Sequence, residues 1–295
     1  MIKVTSLPDA EPRPRNLAIG SFDGVHVGHR EVIAGADTVL TFEPHPLSVI
    51  HPEASPKLIM PFEIKRDVID GLGVDELVVI PFDREFASIA PEAFCEGILV
   101  ARLDAKTVSV GENFRFGARA KGTPELLAER PEFETRVVPL VESGDETVSS
   151  TRIRALVAAG DVEGAMRCLG APFMLEGEVV SGDRVGRTLG FPTANIVPDD
   201  RYVYPGHGIY AAFANGRPAA VSVGVRPTFE TGRGVLIETY IIDHDEDLYG
   251  RHLRIAFIDR LRGERRFAST EDLIAQMHRD VAEARERCAT FSRRR

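Results

Sequence analysis

The feature that most constrains the fold is a change of pattern near Gly170-Ala171-Pro172. Before it, short apolar runs alternate with segments of helical spacing, which is typical of a doubly wound parallel sheet. After it, short runs such as 236–242 (L-I-E-T-Y-I-I) follow one another between Gly and Pro, which is typical of an antiparallel barrel or sandwich. The pattern therefore predicts an α/β, Rossmann-like domain in residues 1–170 and a mostly antiparallel β domain in residues 171–295.

Periodicity also places the individual elements. Strands of the first domain are predicted at 2–4, 17–19, 38–42, 76–81, 107–110 and 133–140, and helices at 61–72, 90–103, 123–129 and 161–169. A helix is predicted to open at 148–154, and the second domain is predicted to end in a helix from Leu273 to about Cys288. The connection at 30–40 is so short that the helix after His29 is limited to one or two turns.

Composition excludes several classes of protein. The net charge of −9 argues against a nucleic-acid partner, because phosphate backbones require a basic surface. Three widely spaced cysteines without a C-x-x-C pair fit a reducing compartment and neither a disulfide framework nor a zinc site. The N-terminus has no apolar leader pattern and no stretch is long enough to span a bilayer. We therefore expect a cytoplasmic protein without a membrane partner.

The stretch from Ala18 to His29 (A-I-G-S-F-D-G-V-H-V-G-H) is the first candidate site. It reads as a strand, a loop and a helix start, which is where parallel α/β sheets bind anions. His26 and His29 can donate hydrogen bonds to a phosphate, and Gly28 between them permits close approach of a ligand. The candidate binding residues of the loop are Gly20, Phe22, Asp23, Gly24 and Gly28. The simpler alternative is a pair of solvated loop histidines.

Three further segments extend this candidate site. In Phe42-Glu43-Pro44-His45-Pro46 the prolines are expected to end regular structure and to leave His45 on a rigid loop at a strand end. A strand-end loop at 111–117 carries Asn113, followed by Phe114 and Phe116, whose rings either contact a flat ligand or belong to the core. Hydroxyl groups and an arginine at a predicted helix start form a second anion site, with Ser149, Ser150, Thr151 and Arg154. A plain helix cap is the alternative there.

The second domain carries its own constellation in residues 182–196, G-D-R-V-G-R-T-L-G-F-P-T-A-N-I. Its loop could close over a nucleotide through Gly182, Gly186, Arg187 and Gly190. Thr193 and Asn195 share one face of an extended segment and are suited to a hard cation such as Mg²⁺. Glu238 lies in an apolar strand pattern, where it is either a base for an attacking hydroxyl or a solvent-facing strand residue.

Taken together, these segments resemble the bacterial bifunctional riboflavin kinase/FAD synthetases over essentially the whole chain. The matching segments are 20–29, 41–46, 110–117, 149–154, 186–196, 208–211 (G-I-Y-A), 223–229 (V-G-V-R-P-T-F), 247–250 (D-L-Y-G) and 273–280. The resemblance implies a nucleotidyltransferase domain in 1–170 and an antiparallel β-barrel riboflavin kinase domain with a C-terminal helix in 171–295.

The resemblance also implies two reactions, with ATP, riboflavin and FMN as substrates, Mg²⁺ as cofactor and apo-flavoproteins as possible clients. In the first domain, FMN would attack the α-phosphorus of ATP, with His26 and His29 holding the phosphates. Ser149, Ser150, Thr151 and Arg154 would steady the triphosphate, and Asn113 would lie near the nucleotide or flavin. In the second domain, riboflavin would attack the γ-phosphorus, with Thr193 and Asn195 on Mg²⁺ and Glu238 as base.

Departures from the family pattern leave alternatives open. The helix after His29 is shorter than is usual in the family, so a riboflavin kinase with a degenerate adenylyltransferase domain is the second hypothesis. A non-catalytic flavin- or nucleotide-binding module is the third. Further departures are Arg184 and Val185 in the kinase loop, and Tyr240 and His244 near Glu238. The resemblance leaves the oligomeric state open.

Overall fold

The structure is a computed structural model that describes residues 1–144, 146–180, 189–226, 234–244, 246 and 248–294, with only the backbone described at 225, 226 and 234. The chain divides into two compact units. The first consists of residues 1–56 and 62–150, and the second of residues 57–61 and 151–295. Residues 57–61 join the second unit because Leu58 exchanges backbone hydrogen bonds of 2.8 Å with Arg201 and Val203.

The first unit contains a six-stranded sheet in the order β1-β4-β3-β2-β5-β6, in which every pairing is parallel. Its strands are β1 (Lys3–Ser6), β2 (Arg15–Ile19), β3 (Thr38–Glu43), β4 (Glu76–Pro81), β5 (Ala105–Gly111) and β6 (Glu134–Val138). Its helices are α1 (Val27–Ile33), α2 (Pro46–Ile50), α3 (Phe62–Asp70), α4 (Pro91–Ala93, which continues as a π-helix over Phe94–Arg102) and α5 (Pro124–Ala128). The predicted Rossmann-like fold class is confirmed.

The strand order determines where a ligand can bind in this unit. From β2 the chain first adds β3 and then β4 on one side, whereas β5 and β6 extend the sheet on the other side. Ligands of open α/β sheets bind at the carboxyl ends of the strands where the order reverses. This point lies between β2 and β5, and the candidate loops 20–26 and 111–117 follow these two strands.

One local prediction in this unit is only partly right. Strand β3 ends at Glu43, directly before Pro44, as predicted, but Pro46 does not end regular structure, because it is the first residue of α2 and His45 is its N-cap. The Nδ1 atom of His45 accepts a hydrogen bond of 3.2 Å from the Leu47 amide. A proline is compatible with the first turn of a helix, where its missing N–H would have no helical partner. His45 is therefore fixed by a cap and not by a rigid loop.

Helix α1 has two turns, as the short connection predicts, and both of its ends are secured. At its start, the His26 Nδ1 atom accepts a hydrogen bond of 3.2 Å from the His29 amide. At its end, the Arg136 guanidinium of β6 donates to the carbonyls of Glu31 (3.1 Å) and Ala34 (2.6 Å). These carbonyls lie in the last turn, where a helix lacks its own donors. A side chain from the sheet therefore closes the shortened helix.

The second unit is built on a closed barrel in the order β10-β13-β12-β11-β14-β9, with every pairing antiparallel. Its strands are β9 (Phe173–Val180), β10 (Ala194–Ile196), β11 (Gly208–Ala214), β12 (Arg217–Arg226), β13 (Gly234–Ile241) and β14 (His252–Arg262). Of the two interpretations that the pattern allowed, barrel or sandwich, the barrel is correct. A short polar hairpin, β7 (Glu142–Ser143) and β8 (Glu146–Thr147), lies in the first unit and has no apolar pattern from which to predict it.

Among the residues that the structure describes, the second half of the chain also contains the helices α6 (Ser150–Ala159), α7 (Val162–Leu169) and α8 (Thr270–Arg294). Helix α8 packs on β11, β12 and β14, and its buried Cys288 donates from Sγ to the Ala212 carbonyl (3.3 Å). It begins three residues before the predicted start, where Ser269 Oγ accepts a hydrogen bond from the Asp272 amide, and it extends beyond the predicted end at Cys288.

The division between domains stays a prediction at residue 170. The boundary between the two compact units lies between Ser150 and Thr151. Helix α7 and all residues of α6 after Ser150 therefore belong to the second unit.

Candidate functional site

The loop after β2 is compact because two glycines and two strained residues share it. A Cβ at Gly20 would lie 3.0 Å from the Phe22 ring, so the glycine makes room for that ring. Gly24 has a φ of 94°, whereas Phe22 and Val25 have φ values of 48° and 41°, which cost conformational free energy in residues with a side chain. Phe22, Asp23 and Val25 are buried. The loop is therefore held in one conformation by its surroundings.

His26 and His29 form a stacked pair at the end of this loop. Their ring centroids are 3.5 Å apart with an interplanar angle of 15°, and the Phe22 ring meets His29 edge-on at 5.3 Å. A Cβ at Gly28 would lie 3.3 Å from the His26 Nδ1 and Cε1 atoms. The His26 ring thus occupies the space that the missing side chain of Gly28 leaves. The sequence suggests instead that a ligand approaches the backbone there.

Both imidazoles are neutral at pH 7. Burial lowers the pKa of His26 to about 4, and burial followed by repulsion from His26 and Lys65 lowers the pKa of His29 well below its usual range. Because His26 Nδ1 accepts a hydrogen bond, its proton is on Nε2. The Nδ1 atom of His29 is buried and has no hydrogen-bond partner within the described residues. The pair can therefore act as neutral hydrogen-bonding groups toward a phosphate.

Lys65 on α3 is part of the same neighbourhood and is not among the residues predicted from the sequence. Its side chain is 8% exposed, and its Nζ donates to the Ser21 carbonyl at 3.3 Å. The sequence signal is its position among Ile64, Val68 and Ile69, on the apolar side of the predicted helix. A lysine on an apolar helix face is unusual, because a buried ammonium group loses its hydration.

Ser150 joins this loop directly, since its Oγ donates to the Asp23 carbonyl at 3.0 Å. Asn113 is exposed on the loop after β5, next to Phe114 and Phe116, whose rings stack 5.6 Å apart. Phe116 belongs to the core and Phe114 packs against it. Sheet order and one hydrogen bond thus bring the segments around 20–29, 111–117 and Ser150 to one edge of the first unit.

Other predicted residues of this site are placed differently. Ser149 is half-buried at the end of the first unit. Thr151 is exposed and belongs to the second unit, as does Arg154, whose Nε donates to the Lys57 carbonyl at 2.6 Å. The contribution of Thr151 and Arg154 to a phosphate site stays a prediction.

In the second unit, the strand register brings Asn195 and Glu238 together. Asn195 of β10 lies directly opposite Glu238 of β13, which in turn lies opposite Ser222 of β12. Residues opposite one another in antiparallel strands project on the same face. Glu238 is exposed, whereas Asn195 is 6% exposed. The predicted base and one predicted metal ligand are therefore direct neighbours.

The segment before β10 is anchored by an aromatic residue. Phe191 is buried and meets the Tyr240 ring of β13 at 5.3 Å and the His278 ring of α8 at 4.9 Å. Gly190 precedes it with a φ of 89°, a conformation that favours glycine. This contact anchors the chain two residues before the half-buried Thr193. Tyr240, a departure from the family pattern, therefore helps to hold the site.

The oxygen atoms available at this site of the second unit are suitable ligands for Mg²⁺. The buried Oδ1 atom of Asn195 has no hydrogen-bond partner within the part of the chain that the structure describes. Mg²⁺ prefers oxygen ligands and binds with few protein groups plus waters and substrate phosphates. The same described residues contain no cluster of three or more His, Cys, Asp or Glu side chains suited to a metal. A magnesium site made of Thr193, Asn195 and substrate phosphates stays a prediction.

Three predicted residues, Gly182, Gly186 and Arg187, lie outside the described residues, as do Arg184 and Val185. A cavity of about 720 Å³ opens elsewhere in the second unit, with Met174, Glu176, Phe213, Arg254 and Phe291 in its wall. No predicted site residue of the described ranges lines it. Within those ranges, no helix is both long and apolar enough to cross a bilayer.

Comparison with known proteins assigns a family to each half of the chain. Residues 9–152 match the FAD synthetase family and residues 169–288 match the riboflavin kinase family. The chain is 37% identical over 288 residues to the bifunctional riboflavin kinase/FMN adenylyltransferase of Escherichia coli (strain K12), with 92% of this chain and 91% of the relative covered. The enzyme of the same name from Pseudomonas fluorescens is 33% identical, with 99% of both chains covered.

A solved structure resembles the whole chain as well. It covers 96% of this chain and 99% of its own, with a TM-score of 0.86 and 31% identity, and is described as a macrolide-efflux protein from Streptococcus pneumoniae. The curated relatives and both family matches agree with one another on the two flavin enzymes. The predicted family is thus confirmed, and the chain belongs to the bifunctional riboflavin kinase/FMN adenylyltransferases.

Proposed function

We propose that this chain phosphorylates riboflavin to FMN with ATP and then transfers AMP from ATP to FMN, forming FAD and pyrophosphate. Both halves of the chain match the corresponding families, which favours the bifunctional enzyme over a kinase with a degenerate first domain. The observation that carries the proposal is that each unit keeps its own phosphate-handling groups. These are the stacked His26 and His29 in one unit and the paired Asn195 and Glu238 in the other.

In the kinase reaction, the ribityl 5′-hydroxyl of riboflavin attacks the γ-phosphorus of ATP and ADP leaves. Glu238 takes the proton of that hydroxyl, since a carboxylate within reach of the nucleophile is suited to general-base catalysis. Thr193 and Asn195 would hold Mg²⁺, which would supply positive charge to the ATP phosphates. Phe191 keeps these two residues in place by packing on Tyr240. Gly182, Gly186, Arg187 and Gly190 are the proposed nucleotide loop.

In the adenylyl transfer, an oxygen of the FMN phosphate attacks the α-phosphorus of ATP, and the bond to pyrophosphate breaks. Such reactions depend on positioning and on stabilisation of developing charge more than on covalent catalysis. His26 and His29 hold the phosphates through ring N–H groups. Ser149, Ser150, Thr151 and Arg154 steady the triphosphate, and Asn113 contacts nucleotide or flavin. Gly20, Phe22, Asp23, Gly24, Gly28 and His45 line the same site.

We also propose that the protein works in the cytoplasm. Cys95, Cys168 and Cys288 are buried free thiols, the state expected in a reducing compartment. ATP, riboflavin and FMN are the partners that the proposal requires, and apo-flavoproteins are possible recipients of the product. The net charge of −9 disfavours nucleic acid as a partner.

One assay tests the function directly. Purified protein is incubated with riboflavin, ATP and Mg²⁺, and the flavins are separated by chromatography. We expect FMN to form first and FAD to follow. Accumulation of FMN without FAD would support the kinase-only alternative, and binding without turnover would support a non-catalytic flavin module.

A further inference from the structure

Lys65 carries a charge that the surrounding structure compensates only weakly. Its side chain is 8% exposed, and the nearest carboxylate oxygen, Glu43 Oε2, is 3.8 Å from Nζ and belongs to a side chain that is 44% exposed. A buried ammonium group costs free energy unless it is closely paired and hydrogen-bonded. The ammonium group donates a hydrogen bond to a backbone carbonyl, that of Ser21.

The Ser21 carbonyl receives two donors from two different elements. Lys65 Nζ on α3 donates at 3.3 Å, and Thr41 Oγ1 on β3 donates at 3.2 Å. Ser21 starts the loop that contains the strained residues Phe22 and Val25 and that ends at His26. Strained backbone persists only when contacts around it determine its conformation. The two donors are such contacts.

We propose that Lys65 is a positioning residue for adenylyl transfer, whose ammonium group fixes the Ser21 carbonyl and, through it, the loop that carries His26 and His29. The inference rests on the adenylyl transfer proposed above. It extends that proposal from the His-x-Gly-His segment to a residue on another element.

The charge of Lys65 has a second effect on the same pair. The charged or titratable groups around it are Glu43 at the end of β3, Asp23 in the loop and His29 on α1. Burial lowers the pKa of Lys65, while Glu43 and Asp23 favour its charged form. Lys65 in turn helps to hold the pKa of His29 below its usual range. Removal of the charge should therefore make His29 easier to protonate.

The test compares Lys65→Met with Lys106→Met in the full-length protein. Lys106 is a lysine of the same unit, 53% exposed and paired with Asp104. We expect Lys65→Met to lower kcat for FAD synthesis from supplied FMN by roughly ten- to a hundredfold, since displacement of a catalytic group by about 1 Å has effects of that size. Riboflavin kinase activity of the same variant should be unchanged, and Lys106→Met should preserve both activities.

Two readouts distinguish positioning from a merely structural role. The acid limb of kcat/KM for ATP reports groups of the free enzyme, and it should move to higher pH in Lys65→Met. Lys65→Arg, which keeps the charge and a donor, should leave that limb in place and recover part of kcat. Thr41→Val, which removes the other donor to Ser21, should lower kcat without moving the limb.

The possible results separate this inference from the function on which it rests. A wild-type protein that makes no FAD contradicts the adenylyltransferase function, and the role of Lys65 falls with it. If the wild type makes FAD while Lys65→Met matches Lys106→Met in rate and pH profile, the inference about Lys65 alone is overturned. Should Lys65→Met not fold, full activity of Thr41→Val or an acid limb that moves in Lys65→Arg would overturn it instead.

Discussion

Gly28 is the residue at which the His-x-Gly-His spacing has its clearest structural consequence. Gly28→Ala would place a Cβ 3.3 Å from the His26 ring, which must shift by a few tenths of an ångström. The shift would weaken the cap between His26 and His29. We expect FAD synthesis to fall roughly tenfold while riboflavin kinase activity is retained, as measured by chromatography of each product.

A matched control for this change is Gly97→Ala. Gly97 lies in the π-helix of α4, where a Cβ would meet no atom within 4 Å. This variant should keep both activities. Unchanged FAD synthesis in Gly28→Ala would show that the His26 position is less important than its stacking suggests.

Glu238 provides the matching test in the other unit. Glu238→Gln keeps the shape of the side chain but removes its basicity, so kinase activity should fall by about a hundredfold or more. FAD synthesis from supplied FMN should continue. Isotopically labelled ATP, followed into FMN, measures the kinase step directly.

The exposed Glu286 of α8 provides the control, because Glu286→Gln removes an equal charge at a residue outside the predicted kinase site. Full kinase activity in Glu238→Gln would show that Glu238 is not the base. Glu238 would then be a solvent-facing strand residue, the alternative that the sequence pattern also allows.

Single-residue patterns predict some of these roles and not others. The spacing of His26 and His29 in the sequence already indicates a shared site, and Thr193 with Asn195 indicates a cation. For Lys65 the sequence shows only a lysine on an apolar helix face, which suggests burial but no role, and only tertiary structure shows that its ammonium group contacts the Ser21 carbonyl.

At the level of elements, α1 shows how the chain tolerates a shortened helix. Isolated helices of this length are unstable in water, so α1 depends on contacts at its ends. Arg136→Ala would remove the donors to Glu31 and Ala34. We expect faster amide exchange in α1 and FAD synthesis reduced severalfold, because loss of one or two charged hydrogen bonds costs roughly 1.5–3 kcal/mol each.

Arg84→Ala is the control for this variant, since Arg84 is an exposed arginine of the same unit. Hydrogen exchange measured by mass spectrometry resolves residues 27–33 from the rest of the sheet. Equal exchange in both variants would show that packing of α1 against the sheet is sufficient without Arg136.

Elements are predictable where hydrophobic periodicity is strong. The alternation in residues 1–170 and the short runs after Phe173 indicate the parallel sheet and the barrel strands, although helix ends differ by several residues, as α8 shows. Helix α2 and the β7–β8 hairpin are not predictable, because they are short and are stabilised by caps and turns. No sequence pattern indicates that residues 57–61 join the second unit.

At the level of the whole molecule, each unit contains an apolar cluster of its own. One apolar cluster in the first unit includes Leu17, Leu40 and Val108, and one in the second unit includes Ala211 and Cys288. Conditions that destabilise one core should therefore affect one activity before the other.

Acid is such a condition, because the first unit depends on a buried carboxylate. Glu76, which is 2% exposed at the start of β4, lies 3.0 Å from Arg15 and 2.9 Å from Arg13, and it accepts a hydrogen bond from Thr5. Burial alone would raise the pKa of Glu76, but hydrogen bonds from Thr5 and Arg15 together with the charge of Arg15 lower it to about 2. These contacts tie together the amino ends of β1, β2 and β4, at the edge opposite the candidate site.

The sign of the pH dependence follows from this lowered pKa. The folded protein favours ionised Glu76, so its contribution is complete above the ordinary pKa of 4.5 and is lost as pH falls from there toward 2. A shift of this size corresponds to about 3 kcal/mol in the free energy of unfolding. The lowered pKa of His26, about 4, also makes the protein less stable in acid. Between pH 6.5 and 4 the unfolded chain binds a proton at His26 more readily than the folded protein does, so a fall in pH favours unfolding.

We therefore expect brief exposure to pH 3 to remove FAD synthesis before riboflavin kinase activity, and thermal unfolding by circular dichroism to show an earlier transition for the first unit. Glu76→Gln should lower the free energy of unfolding at pH 7 and should make it fall less steeply below pH 4.5. The pH dependence due to His26, between pH 6.5 and 4, should remain. The exposed Glu53→Gln of the same unit should behave as the wild type. If the stability of Glu76→Gln depends on pH as that of the wild type does, the contacts of Glu76 with Arg15 and Arg13 contribute little to the free energy of unfolding.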